Sequence, residues 1–214
     1  MYQHILNQAH THQAELVVVS KTRSVSEIFA IYEYGQRIFG ENRVQELIEK
    51  QEALPKDIQW HLIGHLQKNK VKFIASFIKL IHSVDSLALL EVIDKEALKY
   101  HRRIDVLLQF HIAQEETKFG LNLEEAIEIL EQLNRHPLQH IRICGVMGMA
   151  SFTSNREQVR NEFRQLKGIY NKLKDRYFKT DDAFKEISMG MSGDYDIALE
   201  EGSTLIRVGS AVFT

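Results

Sequence analysis

The chain is poor in cysteine, poor in proline and free of long apolar runs. Its one cysteine, Cys144, excludes a disulfide within the chain and is typical of a reducing compartment. The two prolines, Pro55 and Pro137, each follow a helical pattern, where a helix is expected to end. No apolar stretch approaches the about 18 residues that span a membrane, and the first residues lack a signal-peptide pattern. We therefore predict a cytoplasmic protein without a membrane partner.

An excess of charge of either sign is also missing. The sequence has 27 basic and 29 acidic side chains, so no overall field favours nucleic acid as a partner. The ten histidines provide no pair at metal-ligand spacing with a supporting cysteine. His61 and His65 are four residues apart, but the residues between them predict a strand rather than a shared helix face. We expect no metal site and no nucleic-acid binding, and we expect Cys144 to be a small buried hydrophobe.

Strand-like apolar runs alternate with amphipathic helical patterns along the whole chain. Capping boxes predict that helices begin at Ser24, Asn122 and Ser154, and the last two helices carry regular apolar stripes. The eight predicted strands are Leu16–Lys21, Arg37–Gly40, Gln59–Gly64, Lys79–Val84, Ile104–Ile112, Ile141–Met149, Phe184–Met189 and Thr204–Val208.

Eight such units without a flexible linker between them predict one domain. We expect residues 1–214 to form a single α/β domain with the architecture of a (β/α)8 TIM barrel. A doubly wound open sheet is the structural alternative, because the same alternation occurs in that fold. We expect a monomer.

The carboxyl ends of the predicted strands are where chemistry is expected in a barrel. Lys21 is the most informative residue there, because it ends an apolar strand in which a lysine is costly to bury. Desolvation lowers the pKa of an amine, and a neutral amine can attack an aldehyde to form an imine. Taken alone, this segment favours a simpler alternative, in which the ammonium group extends from the strand end into water.

The last two strands end in segments rich in glycine and serine. Loops after strands seven and eight commonly hold a phosphate in barrel enzymes, through backbone N–H groups. Gly190 and Gly193 permit close approach of the backbone, and Ser188, Ser192 and Ser210 add hydroxyl donors. The alternative is an ordinary turn followed by a capped helix, because glycine and serine fill most turns.

Arg207 lies in an apolar run and cannot shed its charge. It needs a structural ion pair or a contact with a cofactor, and the sequence leaves both open. An imine-forming lysine, a phosphate-binding loop and an arginine available to a ring nitrogen together meet the needs of pyridoxal 5′-phosphate (PLP). An arginine at that nitrogen leaves the ring largely unprotonated and weakens it as an electron sink.

A set of sequence segments supports the same cofactor. These are Val18–Thr22, Phe39–Glu46, Trp60–Lys70, His82–Ser86, Cys144–Met147, Ile187–Ser192, and Glu200–Thr204 with Arg207–Phe213. In this order, and over about Glu15 to Phe213, they resemble the YggS/PROSC family of pyridoxal phosphate homeostasis proteins. The resemblance implies a fold-type III PLP barrel, similar to the N-terminal domain of alanine racemase.

The resemblance also implies roles for individual residues. Lys21 would hold PLP as an internal aldimine, and Arg207 would approach the pyridine nitrogen. The phosphate would be bound by Ser188, Ser192, Gly209 and Ser210. The remaining cofactor-binding residues would be Asn42, His65 and Met147 around the ring, and Met191 beside the phosphate segment. No catalytic residue is expected.

Three features depart from the family or stay open. Arg43 stands where many relatives have tyrosine, and the segment Leu108–Ala113 is unusual after its first two residues. Both concern the rim of the pocket more than cofactor binding. Lys118 corresponds to a lysine frequent in relatives. We expect it to be a solvated loop lysine, and a transient second acceptor of PLP is the alternative.

The implied function is PLP homeostasis rather than efficient turnover. The protein would hold PLP, limit the free aldehyde and pass the cofactor to PLP-dependent apoenzymes. The alternative is an enzyme similar to amino-acid racemases, for which Tyr32 and Tyr195 are the local candidate bases and a second domain is expected to be required. A PLP-free Schiff-base aldolase would also use Lys21, but it leaves Arg207 without a specific task. Slow side reactions on amino acids stay open.

Overall fold

Eight parallel strands close into a barrel. The computed structural model describes residues 1–114 and 119–213. The strands pair in sequence order, and β8 pairs with β1 to complete the ring. They are Glu15–Val19 (β1), Ile38–Glu41 (β2), Gln59–Leu62 (β3), Leu80–Val84 (β4), Ile104–Phe110 (β5), Ile141–Gly148 (β6), Glu186–Ser188 (β7) and Leu205–Val208 (β8). The predicted (β/α)8 barrel is confirmed, and the open sheet is excluded because a closed ring has no edge strands.

Helices surround the barrel. They are Tyr2–Thr11 (α1), Val25–Glu33 (α2), Val44–Ala53 (α3), Leu87–Lys99 (α4), Leu123–Arg135 (α5), Arg156–Tyr177 (α6) and Tyr195–Glu200 (α7), with a 3₁₀ helix at Lys68–Phe73 after β3. The sequence patterns did not predict α1, which precedes the barrel and buries Tyr2, Ile5 and Ala9. Within the described residues, no helix is both long and apolar enough to cross a membrane.

Two of the three predicted capping boxes are confirmed. At the start of α2 the Ser24 hydroxyl accepts from the Glu27 N–H, and the Glu27 carboxylate accepts from the Ser24 N–H. Asn122 and Glu125 form the same reciprocal pair at α5. The third prediction is wrong by one residue, because Asn155 rather than Ser154 caps α6 and accepts from the Gln158 N–H.

Alternation along the strands separates two apolar layers. The larger layer lies between the sheet and the helices, and the smaller one fills the interior of the barrel. The interior layer consists of Val17, Leu80, Leu107, Cys144, Met147 and Leu205. Cys144 is buried there, and burial raises the pKa of its thiol to about 12. It is therefore a small interior hydrophobe, as predicted.

A β-bulge in β6 places Met147 in the interior. The register between β5 and β6 shifts at this point, so that Cys144 and Met147 both face inward although three positions separate them. Gly145 makes the bulge possible. Its φ is +153°, and a Cβ there would lie 1.9 Å from the Glu186 carbonyl oxygen of β7.

Candidate functional site

Lys21 lies on a tight turn at the carboxyl end of β1. The strand ends at Val19, two residues earlier than predicted, and the Lys21 side chain is exposed. This exposure agrees with the alternative in which the ammonium group extends from the strand end into water. The Arg23 N–H donates to the Ser20 carbonyl at 3.0 Å, and Thr22 adopts a positive φ of 62°. This turn directs the chain away from the sheet and leaves the amine at the mouth of the barrel.

A buried charged network supports this turn from below. The Glu41 carboxylate, at the end of β2, accepts from the Ser20 hydroxyl at 2.6 Å and from the Lys50 ammonium at 2.7 Å. Lys50 also donates to the Ser20 carbonyl at 2.8 Å. Burial raises the pKa of Glu41, and the hydrogen bonds from Lys50 and Ser20 oppose that rise. The network therefore joins β2 and α3 to the residue that precedes Lys21.

The predicted phosphate-binding residues after β7 and β8 meet beside the end of β1. The Ser210 hydroxyl donates to Ser192 Oγ at 3.2 Å, and the Gly209 N–H points to the same oxygen at 3.4 Å. Gly209 packs so closely that a Cβ there would lie 2.9 Å from the Val19 carbonyl oxygen. We call Ser192, Gly209 and Ser210 the serine–glycine cradle. It lies against the strand whose following turn carries Lys21.

Gly190 sets the path of the loop after β7. Its φ is +92°, and a Cβ there would lie 2.5 Å from the Cβ of Ala198 in α7. Asp194 precedes α7, but its side chain accepts from the Met191 N–H at 2.6 Å rather than capping the helix. Met191 itself is partly exposed. The loop is thus held by its own contacts and places Ser192 next to Gly209.

Beneath the mouth, buried polar side chains form a hydrogen-bonded file across the barrel. The Arg207 guanidinium donates to the Ser188 hydroxyl and, at 3.1 Å, to the Gly148 carbonyl. Ser188 Oγ lies 2.8 Å from His82 Nδ1, and His82 Nε2 lies 3.0 Å from His61 Nδ1. We call Arg207, Ser188, His82 and His61 the interior file.

Burial dominates the electrostatics of the interior file. It lowers the pKa of His61 to about 3, with Lys79 contributing to the decrease. It also lowers the pKa of His82 well below its usual value, and the neighbouring His61 and Arg207 act in the same direction. Burial lowers the pKa of Arg207 to about 10, with Asp194 opposing the decrease. At neutral pH the arginine is therefore charged and both histidines are neutral.

The predicted ring-pocket residues occupy two levels. Asn42 and His65 line a cavity of about 480 Å³ at the rim, together with Arg43. The His65 ring stacks on Phe119 with 4.7 Å between ring centroids. Met147 lies lower, fully buried in the interior layer and in register with Ser188 of the neighbouring strand.

The structure thus distributes the ten predicted site residues over one end of the barrel. Ser192, Gly209 and Ser210 are in direct contact beside β1. Ser188 differs from the other predicted phosphate residues, because its hydroxyl is fully buried and bonded to Arg207 and His82. Lys118 lies outside the described residues.

Sequence reasoning missed four residues that support the site: Glu41, Lys50, His61 and His82. A polar residue in an inward-facing position of an apolar strand was the available indication for the two histidines. Lys50 offered none, because it resembles any other polar residue of a helix.

The two candidate bases for a racemase are engaged elsewhere. The Tyr32 hydroxyl donates to Asp57 at 2.9 Å, next to Arg37, and both of those residues lie just before strands at the opposite end of the barrel. The Tyr195 hydroxyl donates to Gln8 of α1 at 2.9 Å. Burial raises the pKa of Tyr195. Neither tyrosine is therefore paired with Lys21.

Fold and site together define a class: closed parallel barrels with a lysine after the first strand and a serine–glycine cradle after the last two. The family model described as "Alanine racemase, N-terminal domain" matches residues 2–214. The chain belongs to this family and, within it, to the pyridoxal phosphate homeostasis proteins. A relative of that name from Aquifex aeolicus is 39% identical over 201 residues, 94% of this chain and 86% of the relative. A human protein of the same name is 36% identical over 94% of this chain and 76% of its own length.

Solved structures agree with the sequence comparison. PipY of Synechococcus elongatus, solved without PLP, is 34% identical with a TM-score of 0.90, and the match covers 100% of both chains. The same protein solved with PLP bound gives a TM-score of 0.85 over 98% of this chain and 100% of that chain. Alanine racemase of Clostridium difficile is 16% identical, with a TM-score of 0.72 over 97% of this chain and 54% of that chain, which shows a shared fold alone.

Proposed function

We propose that this chain is a PLP homeostasis protein that binds the cofactor through Lys21 and releases it to PLP-dependent apoenzymes. It acts as a monomer in the cytoplasm and has no efficient turnover of its own. One observation carries the proposal: the serine–glycine cradle packs against the end of β1, whose next turn presents Lys21. The names of the relatives and the PLP bound to PipY support the same cofactor.

The residues present fit the phosphate end of this cofactor. Two serine hydroxyls and a backbone N–H converge in the cradle, and hydroxyl and N–H groups are the donors that phosphate oxygens accept from. Glycine at position 209 lets the backbone of the cradle pack directly against β1, because a Cβ there would meet the Val19 carbonyl oxygen. Ser192, Gly209 and Ser210 would therefore bind the phosphate. Met191, at the rim of the same loop, would border it.

The residues proposed to contact the pyridine ring of PLP lie in the interior of the barrel and at its rim. Arg207 is a donor-only cation, so it can offer an N–H to the ring nitrogen but cannot accept a proton from it. Met147 would form an apolar floor, and Asn42 and His65 would border the ring at the rim. We assign Ser188 to holding Arg207 rather than to the phosphate, because its hydroxyl is fully buried between Arg207 and His82, whereas the cradle residues are at least partly exposed.

This arrangement favours storage and release over catalysis. When bound, the cofactor supplies an aldehyde that combines reversibly with amines, so another amine can displace Lys21 without breaking a carbon bond. Arg207 keeps the ring a weak electron sink. The hydroxyls of Tyr32 and Tyr195 are bonded to Asp57 and Gln8, which leaves neither poised as a base.

A transfer experiment tests the proposal. The protein is loaded with PLP, freed of excess cofactor and mixed with an aminotransferase apoenzyme, while interconversion of D- and L-alanine is followed by chiral chromatography. We expect recovery of aminotransferase activity in proportion to the PLP lost from this protein. We expect that the alanine racemised above the uncatalysed background does not exceed the molar amount of this protein. A matched pair of variants controls for lysine identity: Lys21→Ala loses the loading, and Lys72→Ala, an exposed lysine of the 3₁₀ helix, keeps it. Sustained racemisation over many turnovers would replace this proposal with the enzyme.

A further inference from the structure

The interior file is a continuous row of hydrogen bonds between side chains from four strands. Arg207 comes from β8, Ser188 from β7, His82 from β4 and His61 from β3. Arg207 and His61 are each 4% exposed, and Ser188 and His82 are 0% exposed. Such groups are costly to bury unless each is hydrogen-bonded. Removing one of the four side chains would therefore leave its neighbour in the file without a hydrogen-bond partner.

The chemistry of arginine fixes the direction of the first hydrogen bond in the file, and the other two directions are inferred from it. A guanidinium has only donors, so Ser188 Oγ accepts from Arg207. The hydroxyl oxygen could accept a second hydrogen bond, but its other contact is with His82 Nδ1, so the arrangement that also uses the Ser188 hydroxyl proton has Nδ1 accepting it. A neutral imidazole with an accepting Nδ1 carries its proton on Nε2, and that N–H donates to His61 Nδ1. His61 is consequently also protonated on Nε2.

The far end of the file opens at the amino end of the barrel. His61 lines a cavity of about 480 Å³ whose wall also includes Gln59, Asp105 and Glu186. Carboxylates and the amide oxygen accept hydrogen bonds. The cavity wall that includes His61 therefore carries acceptors, together with the cations Lys79, Arg142 and Lys185. The direction of the file is therefore set at its Arg207 end, where the guanidinium can only donate, and the mixed wall beside His61 is compatible with it.

We propose that Ser188, His82 and His61 are positioning residues that hold Arg207 beneath the cofactor ring and fix both histidines as Nε2–H tautomers. This inference rests on the proposed function where it concerns the ring. The file itself is a property of the protein without cofactor. Both histidines are neutral, and each accepts a hydrogen bond from the neighbour that lies nearer to Arg207. The file therefore orients the guanidinium without adding a second positive charge below the ring.

Nitrogen-15 NMR of histidine-labelled protein, recorded without cofactor, tests the file directly. We expect His61 and His82 each to show one protonated nitrogen, Nε2, and one unprotonated nitrogen, Nδ1. His82 protonated on Nδ1, or doubly protonated at neutral pH, would overturn the proposal. This measurement on the unaltered protein does not depend on whether any variant folds.

A pair of substitutions at His61 separates positioning from simple packing. His61→Asn places an amide oxygen near the position of Nδ1 and keeps an acceptor for His82, whereas His61→Leu removes it. With PLP bound, we expect the asparagine variant to keep the absorption maximum and the His82 tautomer of the unaltered protein. We expect the leucine variant to shift the absorption maximum and to lose the defined His82 tautomer.

The outcomes distinguish this inference from the proposed function. Borohydride reduction of each PLP-loaded variant reports whether the cofactor is bound on Lys21. If both variants are labelled on Lys21 and their absorption maxima are identical, the positioning role is overturned and PLP binding stands. If the unaltered protein itself is not labelled, the proposed function is overturned, and the NMR experiment still tests the tautomers of the file.

Discussion

His61 and His82 are neutral in the folded protein because burial opposes their protonation. In the unfolded chain each would take up a proton near its ordinary pKa of 6.5. The unfolded state therefore binds more protons than the folded state below that pH, and stability decreases as the pH falls. For His61 the window extends from 6.5 down to about 3, and above 6.5 its contribution is fully present.

We predict that acid destabilises the protein through these two histidines. Each contributes a slope of about 1.4 kcal/mol per pH unit within its window. Urea denaturation at several pH values between about 8 and 4 measures it. His61→Asn is expected to give a shallower dependence than the unaltered protein, and His10→Asn, a change at an exposed position of α1, is expected to leave the slope unchanged. Equal slopes for His61→Asn and the unaltered protein would contradict the pKa assignment.

Glu41 and Lys50 form a buried ion pair, and breaking it is expected to destabilise the protein. Their side chains are 0% and 8% exposed, and they hold Ser20 next to Lys21. Lys50→Met would leave the carboxylate buried without its counter-charge, which typically costs about 3–5 kcal/mol. Adding Glu41→Gln is expected to recover most of that loss, because the unpaired charge is then gone. Urea denaturation of the two single variants and the double variant gives the coupling energy, and strict additivity would exclude a direct pair.

Some residues of the candidate site could be predicted from the sequence and others could not, because the contacts of the others join positions far apart in the chain. Lys21, Ser192, Gly209 and Ser210 could be proposed from the sequence because each follows a strand, and the carboxyl ends of all strands in a parallel barrel lie on one face. The bond between His82 and Ser188 joins residues 106 positions apart. No local pattern reports such a partner, so the roles of Ser188 and the two histidines required the fold.

At the scale of elements, periodicity located all eight strands to within a few residues. The apolar pattern of these strands is strong in the sequence, because strands covered on both faces of a sheet are continuously apolar. The ends were less certain. β1 was predicted to reach Lys21, but pairing with its neighbours ends at Val19 and the turn begins there. Ser154 and Asn155 are both good N-caps, and only the geometry of α6 decides between them.

The β-bulge at Gly145 constrains the pairing of β6 with β7, so a side chain at this position is expected to destabilise the barrel. Gly145→Ala would force a Cβ to within 1.9 Å of the Glu186 carbonyl oxygen at a φ of +153°. We expect a loss of on the order of 3 kcal/mol, or failure to fold, because β6 and β7 would have to separate. Gly168→Ala is the matched control. That glycine lies within α6 with open space around it, so alanine is expected to stabilise the protein by about 0.5–1 kcal/mol. Thermal unfolding of both variants tests the pair, and equal effects would show that the bulge is not constrained.

The whole molecule assembles a site from segments that are far apart in the chain. Closure of the barrel brings β8 next to β1, and this pairing, with the loop after β7, places the serine–glycine cradle against the strand that precedes Lys21. The alternation of strands and helices predicted the barrel, and the barrel predicted the end that carries the site. The alternation could not predict the contents of the interior. Inward positions accept apolar or polar side chains, and only the closed ring decides which of them meet.

In the proposed function, the same closure allows storage and release of PLP to share one site. The cradle and Lys21 lie at the open mouth, where another amine can reach the cofactor, whereas Arg207 is fixed inside the barrel. The exposed position of Lys21 is the simpler of the two alternatives that the sequence offered, and it suits exchange better than a buried amine would. The central claim is therefore that Lys21 is the covalent attachment point for PLP.

Borohydride reduction of protein incubated with excess PLP, followed by intact mass and peptide mapping, tests that claim most directly. We predict one phosphopyridoxyl group per chain, located on Lys21, with the label lost in Lys21→Ala and kept in Lys72→Ala. The peptide map also reports on Lys118, where we expect no stoichiometric label. An unmodified Lys21, or a label that survives Lys21→Ala at full stoichiometry, would contradict the account.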